Sequence, residues 1–141
     1  PEVADDLTIY SRQSLESTED WVISRFANVK RRREDLTALA AVLFDEVDVV
    51  LTPTTAIPAF DAGGPPLGVV DGEEVVGAMT TPFTMLANLC WNPAISVPAG
   101  LTDDGLPIGL QIIARRHHDE IPLRLARILE QIRPWPRLAP S

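Results

Sequence analysis

Asn92-Pro93-Ala94-Ile95-Ser96-Val97-Pro98-Ala99-Gly100-Leu101-Thr102-Asp103-Asp104-Gly105-Leu106-Pro107-Ile108-Gly109-Leu110-Gln111-Ile112-Ile113-Ala114 is the stretch on which the fold turns. It holds two apolar runs, residues 94–97 and 108–114, both too short for ordinary helices and both carrying β-branched residues. Pro98 and Gly100 punctuate the first run, and Asp103-Asp104-Gly105 supplies a turn before Leu106-Pro107 leads back in. The stretch therefore predicts two strands joined by a short connection. Neither run alternates cleanly with polar residues, so both faces are expected to be covered, as inside a layered α/β sheet. Gln111 is the one polar group of the second run. It reads either as an amide satisfied by its neighbours, the commoner fate of buried polar groups, or as a ligand contact.

Working outward, residues 48–52 predict a third short strand. Pro53-Thr54-Thr55-Ala56-Ile57-Pro58 follows and cannot be helical, because two prolines fix the backbone and remove donors. Strand ends line the crevice in layered α/β folds, which makes Thr54 and Thr55 candidate pocket residues; plain turn chemistry is the competing reading. Residues 59–78 read as a surface excursion. They contain the breaker cluster Gly63-Gly64-Pro65-Pro66 and a hairpin pattern centred on Asp71-Gly72. Thr81-Pro82 predicts a capped helix start, with Phe83, Leu86 and Leu89 toward the core. Cys90 reads as a small buried hydrophobe, since no base or electropositive setting accompanies it.

On the far side, Arg115-Arg116-His117-His118 offers paired histidines without the further ligands a metal centre needs, and no metal is expected. Residues 119–132 predict the last helix, with Asp119 as N-cap, Pro122 in the first turn, and a stripe of Leu123, Ala126, Leu129 and Ile132. Before the first strand, Thr18 predicts an N-cap for a long amphipathic helix from Trp21 to Phe44. Its Lys30-Arg31-Arg32-Arg33 run, followed by Glu34 and Asp35, reads as a solvated face with local ion pairs in preference to a docking patch. Residues 1–17 are weakly patterned, with Leu7, Ile9 and Tyr10 fitting a short helix or an ordered arm.

The 141 residues suffice for one domain with one core, and 45% hydrophobic content marks a globular chain. A net charge of −8 argues against nucleic-acid and anionic-membrane partners. The single cysteine excludes an intramolecular disulfide and fits a reducing, cytoplasmic compartment. No apolar run is long enough to span a bilayer, and no membrane partner is expected. The chain opens Pro1-Glu2-Val3 without a methionine, as expected of a fragment or of a processed chain.

Four segments, in this order, resemble the amidase signature family: Asp48-Val-Val-Leu-Thr-Pro-Thr-Thr55; Pro82-Phe83-Thr84 with Asn88-Leu89; the opening stretch from Asn92 to Ile112; and Arg127-Ile-Leu-Glu130 with Pro134-Trp135. The resemblance runs from about Thr18 to Pro136. It implies an α/β fold in which this chain is the C-terminal part of a larger mixed sheet covered by helices. It also implies a parent enzyme that hydrolyses a carboxylic amide. In that family one Ser attacks the carbonyl, a second Ser bridging to Lys shuttles the proton, and backbone N–H groups hold the oxyanion. No residue here matches that set. The one lysine, Lys30, has no Ser three residues before it, and no Gly-Gly-Ser-Ser-Gly segment exists. The catalytic residues are therefore expected upstream, and the isolated chain is expected to be inactive.

What the resemblance leaves to this chain is a substrate-side wall: Thr54, Thr55, Thr81, Met85, Trp91 and Asn92. Trp91 stands where many relatives carry a small residue, often Gly, and reads either as pocket wall or as core filler. No cofactor is expected. The expected partners are a small amide substrate, the upstream part of the same protein and a second copy of the chain, because a severed sheet leaves edges and apolar faces open. Two alternatives stand beside the amidase. One is the glutamine-hydrolysing A subunit of a tRNA-dependent amidotransferase. Such subunits generally carry an Asp near the start of the Pro-Phe helix, where this chain has Thr81. The other is a non-catalytic assembly module.

Overall fold

A computed structural model describes residues 7–18, 21–60, 67–70, 73–76 and 81–135. They divide into two compact units, residues 1–35 and 36–141.

The first unit holds α1 (Ile9–Glu16) and the first half of α2 (Ile23–Glu46). Thr8 caps α1, its side-chain oxygen accepting from the Ser11 N–H. Thr18 closes the end of α1, donating to the Leu15 carbonyl at 2.8 Å, and so does not cap the next helix as its sequence context suggests. Its hydroxyl is drawn to the nearer unpaired carbonyls of the α1 C-terminus. Trp21 precedes α2 and stacks under the Arg25 guanidinium, 4.6 Å from the ring centroid. Lys30, Arg31 and Arg32 are exposed, with Arg31 hydrogen-bonded to Asn28 one turn back, in keeping with the solvated-face reading.

The second unit is built on β1 (Val49–Pro53), β4 (Ala94–Leu101) and β5 (Pro107–Ala114). They form one antiparallel sheet in the order β1-β5-β4, so the last strand lies in the middle. The expected connection is present. Gly105 takes φ 82°, a left-handed value suited to a residue without Cβ, and the Leu106 N–H donates to Thr102 Oγ1. β4 runs past Pro98, with a register shift between Pro98 and Gly100. It is tolerated there because β4 is an edge and needs no second ladder from Pro98.

Side chains alternate across the sheet. On one face Val97 and Ile112 pack with Ala126 of α4 (Glu120–Ile132), with Ile95, Leu110, Leu125 and Leu129 around them. On the other, Ile113 packs with Phe44 of α2 and Ala87 of α3 (Met85–Cys90), with Val50 and Leu86 alongside. Asp119 precedes α4 without a side-chain capping bond. The face that α4 lays on the sheet is Pro122, Leu125, Ala126 and Leu129, at i, i+3, i+4 and i+7, so of the expected stripe Ala126 and Leu129 pack inward while Leu123 and Ile132 are exposed. The Pro82–Thr84 segment is a 3-10 turn, and Thr81 makes no side-chain cap. That tighter turn swings Phe83 out of the core, and the buried residues of α3 are Ala87 and Cys90, the latter 1% exposed.

Arg115, just past β5, donates to the Phe44 carbonyl at 2.9 Å and pairs with Asp45. A cation is thereby placed on the open carbonyls at the end of α2, where the helix dipole favours it. Both faces are covered only toward the C-terminal end of β5: Ile112, Ile113 and Ala114 are fully buried, whereas Ala94, Ser96 and Pro98 of β4 are exposed. The apolar stripe of α2 is also largely open, with Leu39 and Val42 exposed and Ala40 and Phe44 buried.

Within residues 59–78, β2 (Leu67–Val70) and β3 (Glu73–Val76) pair antiparallel in the register Val70↔Glu73, as a hairpin requires. The Asp71-Gly72 turn and the Gly63-Gly64-Pro65-Pro66 cluster lie outside the described residues, as do Glu19, Asp20 and Pro136.

Candidate functional site

At the end of β1 the sheet opens into a cleft of about 440 Å³. Pro53 ends β1, and the Thr54 N–H still reaches the Gly109 carbonyl at 2.9 Å, carrying the pairing one residue further. The chain then bends. Thr55 Oγ1 donates to the Ile57 carbonyl at 2.8 Å, and the segment to Phe60 forms one wall. β4 contributes Ser96 and Pro98, and β5 contributes Pro107, Ile108 and Gly109. Thr81 enters from the start of the Pro82–Thr84 turn.

A row of polar side chains crosses the sheet beneath this cleft. The register sets Thr52 beside Gln111 and Gln111 beside Ser96. Gln111, only 4% exposed, uses both amide hydrogens: Nε2 donates to Thr52 Oγ1 and to the Phe83 carbonyl, each at 2.9 Å. Of the two readings of Gln111, the amide satisfied by its neighbours is the one present. The bond to Phe83 also ties the Pro82–Thr84 turn to the sheet, which holds Thr81 at the cleft. One step further along, Thr54 Oγ1 and Ser96 Oγ lie 2.6 Å apart.

Gly109 makes that approach possible. A Cβ there would fall 2.6 Å from Thr54 Oγ1 and 2.8 Å from Ser96 Oγ, well inside contact distance. The described lining carries no ionisable side chain; the described residues offer the cleft hydroxyls, backbone groups and apolar surface. Among the described residues, no group of three His, Cys, Asp or Glu is placed to hold a metal.

Of the six residues expected to form a substrate wall, Thr54, Thr55 and Thr81 meet in this cleft. Met85, Trp91 and Asn92 are not among its lining residues. Asn92 donates from Nδ2 to the Ala114 carbonyl at 2.8 Å, locking the start of β4 to the end of β5. Trp91 is 66% exposed and caps α3 in a left-handed conformation, φ 60° and ψ 32°. That position favours glycine, whose missing Cβ removes the steric cost of the left-handed conformation. Ser96 and Gly109 were not singled out by sequence. Ser96 had a readable signal, being the one polar residue of the first run as Gln111 is of the second.

The family model described as Amidase matches residues 10–123. The chain is 33% identical over 136 residues to a fatty acid amide hydrolase of Oryza sativa subsp. japonica, an alignment covering 96% of this chain and 22% of that protein. It is 42% identical over 91 residues to the A subunit of the glutamyl-tRNA(Gln) amidotransferase of Parvibaculum lavamentivorans, covering 64% of this chain and 18% of that one. Among solved structures, a bacterial aryl acylamidase of the amidase signature family superposes with a TM-score of 0.78 at 27% identity, over 93% of this chain and 27% of that one. The chain thus spans about a fifth of the length of the curated relatives it matches.

Proposed function

The chain belongs to the amidase signature family, and from that premise we propose that it is the C-terminal part of an enzyme that hydrolyses a carboxylic amide C–N bond. In this reading a Ser-Ser-Lys set from the upstream part attacks the carbonyl and moves the proton. The present chain supplies one wall of the substrate site. The observation that carries the reading is the meeting of Thr54, Thr55 and Thr81 in one cleft, whose described lining is neutral, inside the segment that the family model covers. Met85, Trp91 and Asn92 belong to the proposed wall only if upstream elements extend it over α3.

Residues 1–141 then form part of one larger domain, with residues 59–78 as a surface excursion. The open β1 and β4 edges, and exposed Leu39, Val42 and Leu51, are surfaces for the upstream part to cover. Without it, the chain associates with a second copy. No described helix is long and apolar enough to cross a membrane, and the single cysteine supports a cytoplasmic setting.

The test compares the isolated chain with the full-length protein on a panel of aryl and alkyl amides. The full-length protein hydrolyses at least one, and the isolated chain hydrolyses none, since an enzyme without its nucleophile loses most of its rate enhancement. Turnover by the repurified chain above a heat-killed control would refute the division of labour. A full-length protein inert on every amide would refute the amidase reading.

A second reading, the glutamine-hydrolysing component of an amidotransferase, draws support from the 42% identity to such a protein. The neutral lining counts against it: the position expected to hold an Asp for a substrate ammonium group is Thr81, and no described lining residue replaces that charge. Glutamine in the same panel separates the two. Preference for glutamine over neutral alkyl amides would favour the amidotransferase.

A further inference from the structure

We infer that Thr54 and Ser96 form a specificity-determining hydroxyl pair, presenting one O–H donor to a neutral oxygen in the non-reacting part of the amide substrate. The inference rests on the amidase reading above and names the chemistry its substrate carries.

The two oxygens are 2.6 Å apart, and each hydroxyl has one hydrogen. One hydrogen bridges the pair whichever residue donates, so the other is left over. Among the described residues neither hydroxyl has a further side-chain partner. Gln111, next along the row, differs: both its amide hydrogens are spent on Thr52 and Phe83.

Thr54 and Ser96 both line the cleft, and Ser96 is exposed. Gly109 leaves the hydroxyls the room to meet, since a Cβ would occupy the space beside both oxygens. The surrounding walls include Ile57, Pro58, Phe60 and Ile108, so the pair is a polar point on mostly apolar surface. Such isolated polar groups orient a ligand and set specificity.

No described lining residue is ionisable, so an ammonium or carboxylate placed there would lack a partner. A carbonyl, ether or hydroxyl oxygen has no such need. Among the described residues no base stands beside Thr54 and Ser96 to activate either hydroxyl as a nucleophile.

The test uses the full-length protein and matched amides that differ by one oxygen in place of one methylene, moved stepwise along the acyl or amine chain. At one position the oxygen analogue is preferred about tenfold in kcat/KM, the scale of one hydrogen bond, and the preference falls when the oxygen moves by one atom. Removing both hydroxyls, as Thr54→Val with Ser96→Ala, brings that ratio close to one. Thr54→Ser keeps it. A single removal keeps part of it, because the surviving hydroxyl still donates. No positional preference in the wild-type protein would overturn the inference, a result that needs no variant to fold. So would a full preference retained in a double variant with an unchanged thermal midpoint. Failure to hydrolyse any amide would instead overturn the amidase reading on which the inference stands.

Discussion

Residues 111–114 of β5 are closed off on both faces, whereas Pro107 and Ile108, on the same strand and in the same ladder, lie open. At the closed end α4 covers one face and the end of α2 with α3 covers the other. At the open end the neighbours are turns, and the side chains that meet are hydroxyls over a glycine. One register serves both ends, so what separates them is the elements laid over the sheet. The closed end gains stability from apolar burial. The open end is left with polar groups held in fixed places, which is what a recognition site needs.

Ile113→Ala tests the closed end and carries the largest expected effect, a loss of about 2–5 kcal/mol by chemical denaturation, because Ile113 is fully buried between Phe44 and Ala87. A loss well under 1 kcal/mol would mean that this end is not the core.

Gly109→Ala tests the open end. The new methyl displaces Thr54 and Ser96, with an expected loss of about 1–3 kcal/mol. It should also alter relative rates across amides, which Ile113→Ala should not. Equal changes in relative rates for both variants would erase the contrast between the ends.

Trp91→Gly sharpens the boundary of the core. A buried Trp replaced by Gly would be strongly destabilising. Trp91 is mostly exposed and left-handed, so relief of the backbone should instead raise stability by about 1 kcal/mol. A markedly lower thermal midpoint would show the ring packed into the closed end.

Glu120 belongs to neither end and sets the smallest effect. Its carboxyl is held below the ordinary value, first by hydrogen bonding of its own backbone N–H and then by the His118 imidazole, 3.1 Å away. A depressed folded pKa gives stability that is present above the unfolded carboxylate pKa and is lost as pH falls through the folded value. Glu120→Gln should therefore match wild type in strong acid and fall slightly below it near neutral pH. An NMR titration of the Glu120 carboxyl at or above the unfolded value would contradict this.

The sequence by itself determined the three main strands to within a few residues, the Asp103-Asp104-Gly105 turn, the span of α4, the burial of Cys90, and the family. These are local or periodic properties: β-branched runs, turn residues, apolar spacing and motifs read along one dimension. Thr54 and Thr55 were legible as candidates because strand ends line the crevice in layered folds, and Thr81 through the family resemblance. The tertiary structure alone decided that β5 lies between β1 and β4, and therefore that Thr54 meets Ser96 across 42 residues of sequence. It alone explained Gly109, whose missing Cβ matters only once two hydroxyls converge on it. It also set the left-handed φ of Trp91, where the path into β4 overrides the residue's own preference. Strand order and register are non-local choices, made by the summed burial of whole faces. No short window of sequence carries that sum.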